Sequence, residues 1–429
     1  MGAESGTRPG WASRPGRSIG TALGRARQFV LRQKPNYRVT VTRAALSSFL
    51  AGLTAQYNSI YAVALGASPV QLGALNSIKG GASAIMSLPT GWLVDRFGLK
   101  GFYVVGIGLT AVAAGLYSLA PDWRALIPAV ILISLSMRFT GTGCSVLCAD
   151  QLENRDRATG QNMCNSIGSV FLALSPMIAA VLVTRLGGLS VRGLRPLYYI
   201  QFAGYGLIML YVAARLREPV RLNLTDEENR TGFFGDYRRV FKNAPHLKRW
   251  IVVACLSQMP FAMTLPFMHL FANEVKGAEQ YILGLMSVAM VVAHILFGIP
   301  LGRLADRVGR KRVIYLLTPL WYLSSITLVL AQGPVWLVLA GALWGFYPIM
   351  TVVTSSMTLE LVPLEHMGRW SGLLGVFAGL VTVPGPLIGG LIWRHVGPAY
   401  VFLIALALDM VLRLPLLMTI PETLRKEKI

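Results

Sequence analysis

The sequence GRLADRVGRK at residues 302–311 has a near copy, GWLVDRFGLK, at residues 91–100. Each copy follows a long apolar segment, and the two copies lie 211 residues apart. A second pair of acidic segments, DQLENR at 150–155 and ELVPLE at 360–365, is separated by 210 residues. Two independent landmarks with nearly the same offset indicate that the chain consists of two parallel repeats.

The composition of the chain is that of a membrane protein. Of its 429 residues, 54% are apolar and 14% are charged, and the mean hydropathy is +0.55. An average soluble domain has about 25% charged residues. This composition argues against a soluble enzyme, a nucleic-acid binder and a disordered scaffold.

Apolar segments long enough to cross a bilayer recur along the whole chain. A membrane-spanning helix needs about 20 mostly apolar residues. We predict twelve spans, at residues 42–66, 70–94, 101–120, 125–149, 160–184, 197–215, 249–272, 282–304, 313–331, 335–359, 370–393 and 398–420. The longest polar stretch between them separates spans six and seven, so that each half contains six spans.

The net charge of +21 is distributed unevenly between the two sides of these spans. With the amino terminus placed in the cytoplasm, the tails and loops on that side hold 31 of the 40 Lys and Arg residues, and the opposite side holds 6. Basic residues in short loops remain on the cytoplasmic side of a membrane. The charge therefore predicts cytoplasmic termini and gives no support to a nucleic-acid partner.

The predicted fold class is an all-α membrane protein, with twelve transmembrane helices in two six-helix bundles related by pseudo-two-fold symmetry. The expected parts are a disordered basic cytoplasmic tail at 1–37, an amino-terminal bundle at 38–216, a cytoplasmic linker at 217–247, a carboxy-terminal bundle at 248–421 and a cytoplasmic tail at 422–429. The four cysteines lie inside apolar runs and predict no disulfide. The first 37 residues contain no apolar run of the kind found in a cleavable signal.

The repeated loop resembles the signature of the major facilitator superfamily, G-x-x-x-D-[RK]-x-G-[RK]-[RK]. The second copy matches this signature fully, whereas Leu99 replaces a basic residue in the first copy. The resemblance covers nearly all of the chain beyond residue 38. It implies secondary active transport by alternating access, with a charge network at the cytoplasmic rim that holds the gate in one state.

Ten residues are predicted to form this gate. They are Gly91, Asp95, Arg96, Lys100 and Asp150 in the first half and Gly302, Asp306, Arg307, Arg310 and Glu360 in the second half. Gly91 and Gly302 are expected where two helices approach closely, and Gly309 is expected in a tight turn. The alternative is an ordinary basic loop that only sets the topology.

Four charged residues are predicted near the middle of spans, where each costs roughly 2.5–3.5 kcal/mol on insertion scales. Asp409 and Arg413 are four residues apart and are expected to neutralise each other. Lys79 and Arg138 have no acid in the first six spans except at the cytoplasmic rim. We expect both cations to face a cavity and meet an anionic group of a substrate; the alternative is burial among hydroxyl and carbonyl groups.

Uncharged polar residues at helical spacing predict the rest of the cavity. The other predicted substrate-binding residues are Asn58, Tyr61, Gln56, Asn76, Asn162, Gln258, His269 and His294. Any one of them could instead form a hydrogen bond between helices. His269 and His294 are also the titratable candidates for carrying a proton near neutral pH. The segment PGPLIGG at 384–390 is expected to serve helix packing.

The sequence thus predicts a secondary active transporter of a small organic solute, anionic or amphipathic, with proton coupling as a hypothesis. No catalytic residue, cofactor or metal site is expected, so the protein is not expected to be an enzyme. The expected partners are the solute, the lipid bilayer and a coupling proton or ion, and the expected state is a monomer. We expect it in the plasma membrane, or in the inner membrane of a Gram-negative cell.

Four alternatives stay open. One is a proton-driven drug exporter, although its fifth-helix Gly-Pro signature is reduced here to Gly168 and Ser175-Pro176. Another is a copper(I) importer, because copper(I) prefers thiolate, thioether and imidazole ligands. Such ligands recur at helical spacing at Cys144, Cys148, Met259, Met263, Met286, Met290 and His294. The remaining two are uptake of a neutral, sugar-like solute through Asn58, Gln258 and Trp344, and a non-transporting membrane receptor on the same fold.

Overall fold

The computed structural model describes residues 32–87, 99–152, 157–218, 245–361, 377–420 and 422. These residues are almost entirely helical, and no strand occurs among them. Ten of the described helical segments are long and apolar enough to cross a membrane. Together with the first two segments of the chain, they form the twelve segments of the predicted all-α fold.

The first half contains six helical segments in chain order. Segment 1 comprises Pro35–Thr54 and Asn58–Ala64, segment 2 is Pro69–Met86, segment 3 is Leu99–Leu119, segment 4 is Leu126–Gln151, segment 5 is Arg157–Leu186 and segment 6 is Val191–Arg215. The predicted spans overlap all six segments. The predicted end of span two, beyond Ser87, lies outside the described residues.

The second half repeats this pattern. Segment 7 comprises Pro245–Thr264 and Met268–Glu274, segment 8 is Gln280–Val308, segment 9 is Arg310–Leu330, segment 10 comprises Pro334–Trp344 and Phe346–Leu361, segment 11 includes Pro384–His395, and segment 12 comprises Pro398–Leu408 and Leu414–Met418. A π-helical turn, Asp409–Arg413, joins the two parts of segment 12.

The two halves are interrupted at equivalent places. Segment 1 breaks at residues 55–57, and segment 7 breaks at residues 265–267, where a 3₁₀ turn joins its two helices. The breaks are 210 residues apart, which is the offset of the repeated sequence landmarks. The repeat is therefore a repeat of helix geometry as well as of sequence.

Six short loops lie on one face of the molecule, which we call the short-loop face; the opposite face, where segments 6 and 12 end, is the terminal face. The loops are 65–68, 120–122, 187–190, 275–279, 331–333 and 396–397. On the terminal face, Gly309 joins segments 8 and 9 with a φ of +119°. This conformation is costly for any residue with a side chain, so the predicted role of Gly309 in a tight turn is confirmed.

The charged pair predicted on segment 12 is present in the structure. Arg413 Nε donates to Asp409 Oδ1 at 2.6 Å, and Arg413 Nη2 donates to Asp409 Oδ2 at 2.6 Å. Tyr322 of segment 9 donates its hydroxyl to the same Oδ2 at 2.6 Å, and Arg413 Nη2 also donates to Thr318 Oγ1 at 3.1 Å. Asp409 and Arg413 are each only 2% exposed, so this is a buried ion pair that ties segment 12 to segment 9.

The two halves meet first along segments 2 and 11. A methyl group at Gly73 would collide with the carbonyl oxygen of Pro386, and one at Gly390 would collide with that of Pro69. Gly389 lies on another side of segment 11, against the carbonyl oxygen of Met263 in segment 7. The predicted packing role of this glycine- and proline-rich segment is therefore confirmed, because its glycines allow backbone to approach backbone.

Segments 5 and 8 form the second contact between the halves, close to the short-loop face. Gln280 Nε2 donates to Thr184 Oγ1 at 2.9 Å, and the hydroxyl of Tyr57 donates to the carbonyl oxygen of Gln280 at 3.4 Å. Nearer the terminal face, Asn165 and Ser166 of segment 5 are exposed. Within the described ranges, the two halves are thus in contact at the short-loop face.

Removing one partner of the buried ion pair should destabilise the protein strongly. We expect Asp409→Asn to lower the free energy of unfolding by about 3–5 kcal/mol, because it leaves the Arg413 guanidinium buried without a counter-charge. The double variant Asp409→Leu/Arg413→Met should lose much less, since neither charge then remains. Thermal unfolding of the purified protein in detergent measures both, and equal losses would contradict this account.

A bulky residue at Gly73 should prevent closure at the short-loop face. In Gly73→Val, the valine side chain would occupy the space of the Pro386 carbonyl group, so the two bundles must separate there. Spin labels at Arg185 and Glu279, which are exposed on opposite halves of this face, should move apart by several ångströms. Gly206→Val is the matched control, because open space lies beside Gly206. An unchanged distance between the labels in Gly73→Val would contradict the close contact of segments 2 and 11 at Gly73.

Candidate functional site: cations between the two bundles

Lys79 of segment 2 and Arg138 of segment 4 lie on neighbouring helices, and both are partly exposed. Two hydrogen bonds fix their register. Ser134 Oγ donates to the carbonyl oxygen of Lys79 at 2.8 Å, and Arg138 Nε donates to Ser83 Oγ at 2.9 Å. Ser134 is therefore level with Lys79, and Arg138 is level with Ser83. Because Ser83 follows Lys79 by one helical turn, Arg138 lies about one turn from Lys79 along the helix axes.

Neither cation has an ion-pair partner within the described ranges of the chain. Arg138 makes its hydrogen bond to described residues through Nε alone. A guanidinium is a planar fork of five N–H donors, so the edge formed by Nη1 and Nη2 has no partner among the described residues. This edge binds a carboxylate or a phosphate through two parallel hydrogen bonds.

The second half of the molecule approaches segment 2 at Gly80, the residue after Lys79. A methyl group at Gly80 would lie 3.6 Å from Cγ2 of Val383 in segment 11. The structure thus places the two predicted cations on neighbouring helices of the first bundle, and one of these helices contacts the second bundle. That both cations face a cavity stays a prediction.

Two predicted cavity residues of segment 1 are instead buried inside the first bundle. Gln56 is 1% exposed and donates from Nε2 to the carbonyl oxygen of Pro176 at 3.1 Å. Tyr61 is fully buried and donates its hydroxyl to the carbonyl oxygen of Tyr117 at 2.8 Å. In this conformation both residues form hydrogen bonds between helices, which was the alternative to a position in the cavity. They lie at and after the break at 55–57, which changes the direction of these side chains.

The predicted asparagines occupy three different situations. Asn58 is exposed near the short-loop face and accepts a hydrogen bond from the hydroxyl of Tyr198 at 2.9 Å. Asn76 donates from Nδ2 to the carbonyl oxygen of Leu72 at 3.0 Å, which leaves its Oδ1 for another partner. Asn162 is part of segment 5, but its side chain lies outside the described residues.

The predicted residues of the second half are spread along segments 7 and 8. Gln258 is partly exposed, with its Oε1 3.5 Å from the hydroxyl oxygen of Tyr347. His269 Nε2 lies 3.0 Å from Ser287 Oγ, which links segments 7 and 8. His294 is partly exposed, and its Nδ1 is buried without a hydrogen-bond partner among the described residues.

The predicted gate residues are described only in part. Gly91, Asp95 and Arg96 lie outside the described residues, as do the side chains of Asp150 and Glu360. Arg310 forms an ion pair with Asp306 at 3.7 Å and donates to the carbonyl oxygen of Ser356. Arg307 is exposed.

The close helix contact expected at Gly302 is not present in this conformation. A methyl group there would meet no described atom within 4 Å. Gly302 lies in the last two turns of segment 8, toward the terminal face. Its predicted role in a gate that closes on this face stays a prediction.

Two carboxylates that the sequence analysis missed bind the helix ends of the terminal face. Glu218 accepts hydrogen bonds from the backbone N–H groups of Leu99, at 2.8 Å, and Lys100 at the start of segment 3. Glu422 accepts the corresponding bonds at the start of segment 9, from Arg310 at 3.0 Å and Lys311 at 3.2 Å. Both acids adjoin a proline after the last segment of their half, a signal in the sequence that was available.

Comparison with known families identifies the architecture. The family model described as Major Facilitator Superfamily matches residues 43–293 and 251–428 of this chain. The two matched regions together cover both six-segment halves. This is the family whose loop signature the sequence resembles.

Individual relatives agree with this match. Multidrug resistance protein MdtG of Rahnella sp. (strain Y9602) is 25% identical over 333 residues, which are 75% of this chain and 77% of that protein. The chain spans only 17% of the length of other curated relatives that it matches at 34% identity.

Solved structures share the fold at low sequence identity. The nucleoside transporter NupG superposes with a TM-score of 0.72 at 18% identity, covering 90% of this chain and 99% of that one. The human organic anion transporter MFSD10 (TETRAN) superposes with a TM-score of 0.62 at 16% identity, covering 90% of this chain and 100% of that one. At these identities the likeness establishes the fold and nothing about the substrate.

Removing the carboxylate of Glu422 should destabilise the start of segment 9. We expect Glu422→Ala to lower the free energy of unfolding by about 1 kcal/mol, since two helix N–H groups lose a charged acceptor. Glu279→Ala is the matched control, because Glu279 precedes segment 8 without a side-chain hydrogen bond to it. Thermal unfolding in detergent compares the two variants, and equal effects would contradict a capping role.

Proposed function

This chain belongs to the major facilitator superfamily, and from that premise we propose that it moves a small organic anion across the membrane by alternating access. Its membership makes it a multi-pass membrane transporter. What we add to this family assignment is that the substrate is an anion. This proposal rests on one observation: Lys79 and Arg138 lie on neighbouring helices and lack an acidic partner in the described part of the chain.

The energetic cost of these cations supports a role in binding. A cation near the middle of a bilayer costs several kcal/mol unless it is compensated. Asp409 and Arg413 show that this chain can neutralise a buried charge where it only needs stability. Lys79 and Arg138 have no such partner among the described residues, and a bound anion is the ligand that would compensate both of them.

The comparisons are compatible with this substrate class. One of the solved structures with the same fold is described as a human organic anion transporter. The relative that aligns with three quarters of the chain is described as a multidrug resistance protein. Export of lipophilic drugs is therefore the second candidate function. It predicts that the protein binds lipophilic cations, whereas the positive charges of Lys79 and Arg138 would repel such cations.

We also propose that the terminal face is cytoplasmic. The positive-inside distribution of the 40 basic residues supports this orientation. With it, the proposed cavity opens toward the cytoplasm, and the parts at 1–37, 217–247 and 422–429 are two cytoplasmic tails and a cytoplasmic linker. The membrane is the plasma membrane or its Gram-negative equivalent.

For coupling, we propose a proton carried by His294 or His269. Asp409 is a poor carrier, because Arg413 and Tyr322 already donate three hydrogen bonds to its carboxylate. Imidazole is the side chain that changes charge near neutral pH. Anion flux that ignores a pH gradient across the vesicle membrane would exclude this part of the proposal.

The substrate class is tested with purified protein in liposomes. We expect binding and flux of organic anions such as benzoate, but no binding of uridine or tetraphenylphosphonium. Arg138→Gln and Lys79→Gln should each weaken anion binding by tenfold or more, since each removes a charge-assisted hydrogen bond. Arg192→Gln is the control, because Arg192 is exposed on the short-loop face away from the site.

Two outcomes would overturn the proposal. One is anion binding that survives unchanged in the double variant Lys79→Gln/Arg138→Gln. The other is a wild-type protein that binds the lipophilic cation and none of the anions, which would favour the drug exporter.

A further inference from the structure

Segment 7 of the second bundle is packed by its own bundle on three sides. Segment 10 covers one side, where the hydroxyl of Tyr347 donates to the carbonyl oxygen of Ser257 at 3.2 Å. Segment 11 covers another, where Gly385 approaches the carbonyl oxygen of Met259. Segment 12 packs against a third side. At the 3₁₀ turn of residues 265–267, segment 7 contacts segment 2 of the first bundle.

Three residues at helical spacing keep exposed surface on segment 7. They are Gln258, Phe261 and Leu265, which follow an i, i+3, i+7 pattern. Gln258 and Phe261 are partly exposed, and Leu265 is 48% exposed. Because the turn that contains Leu265 contacts the first bundle, we assign this face to the space between the bundles.

Phe261 is a rigid aromatic platform on this face. Its ring stacks on that of Tyr347 with a centroid distance of 3.9 Å and an interplanar angle of 1°. The indole of Trp344 lies beside it, at a centroid distance of 6.0 Å. One face of the Phe261 ring is thus covered by Tyr347, and the partial exposure of Phe261 leaves surface for another flat group.

The repeat places this platform at the depth of Arg138. Tyr347 and Pro348 of segment 10 are the counterparts of Met137 and Arg138 in segment 4, at the offset of 210 residues. Repeats related by an axis along the membrane normal put equivalent residues at equal depth. Since Phe261 stacks on Tyr347, it lies level with Arg138 on the opposite bundle.

The positions of the first bundle that are equivalent to this platform carry small side chains. At the same offset, Phe261 and Leu265 correspond to Ala51 and Ala55 of segment 1. Both alanines are exposed. Equivalent positions of the two repeats lie at equal depth, so small exposed side chains of the first bundle are level with bulky ones of the second.

We propose that the transported anion is aromatic, with its ring stacked on Phe261 and its carboxylate or phosphate on the Nη1–Nη2 edge of Arg138. This inference rests on the proposed function, because it takes Arg138 as the site of the anionic group. Stacked aromatic rings attract each other beyond the burial of their surface. A saturated ring of equal charge has no flat face to stack, so the site discriminates against it.

Binding measurements on the purified full-length protein in detergent test the inference. The probes are benzoate and phenyl phosphate, compared with their ring-saturated analogues, cyclohexanecarboxylate and cyclohexyl phosphate. We expect the aromatic member of a pair to bind about tenfold more tightly. The carboxylate and phosphate pairs distinguish the two kinds of anionic group.

Variants assign this preference to Phe261. Phe261→Leu should abolish the preference for the aromatic member while anion binding itself persists, and Phe261→Trp should restore it. Phe202→Leu is the matched control, because Phe202 is also exposed but packs against Gly115 within the first bundle. Retained binding of the ring-saturated anions shows that the variants are folded.

Three results would overturn the inference. Equal affinity for aromatic and saturated anions contradicts it, and so does a preference that survives in Phe261→Leu; in both cases loss of binding in Arg138→Gln would leave the proposed function intact. No binding of any anion by the wild-type protein would instead overturn the proposed function, and the inference with it.

Discussion

A charge inside a bilayer must be compensated, and the two halves of this protein meet that requirement differently. In the second half, Asp409 and Arg413 neutralise each other, and Tyr322 and Thr318 complete their hydrogen bonds. In the first half, a lysine and an arginine on neighbouring helices have no ion-pair partner among the described residues. The first arrangement contributes stability, whereas the second leaves two positive charges for a ligand to compensate, as proposed above.

The bundles touch partly through backbone. At Gly73 and Gly390 the missing side chains let segments 2 and 11 meet at carbonyl groups. Near the short-loop face, the polar contacts of Gln280 and the packing of Gly284 against segment 5 reinforce this contact. Glycine contacts of this kind let helices approach closely and shift against each other, as the rocking of two bundles requires.

Much of the fold followed from local sequence, but the positions of several site residues did not. Span count, repeat and the Asp409–Arg413 pair depend on composition and spacing along one helix, which a sequence displays directly. Gln56 and Tyr61 were placed in the cavity by helical periodicity, and the break at 55–57 interrupts that periodicity. Glu218 reaches a helix 119 residues away in the chain. The proline beside Glu218 marks the end of its segment, but the helix that Glu218 binds is set by tertiary packing, and so is the stacking of Phe261 on Tyr347.

The position of Lys79 and Arg138 also couples the protein to the membrane potential. If the proposed site opens to the terminal face, water reaches both charges from that side and most of the voltage falls across the closed half of the molecule. When access switches to the other side, the same two charges lie on the other end of that voltage drop, at about 2.3 kcal/mol per charge for each 100 mV. The empty carrier then moves positive charge as it switches. A bound monoanion cancels half of it, and a dianion makes the step electrically silent.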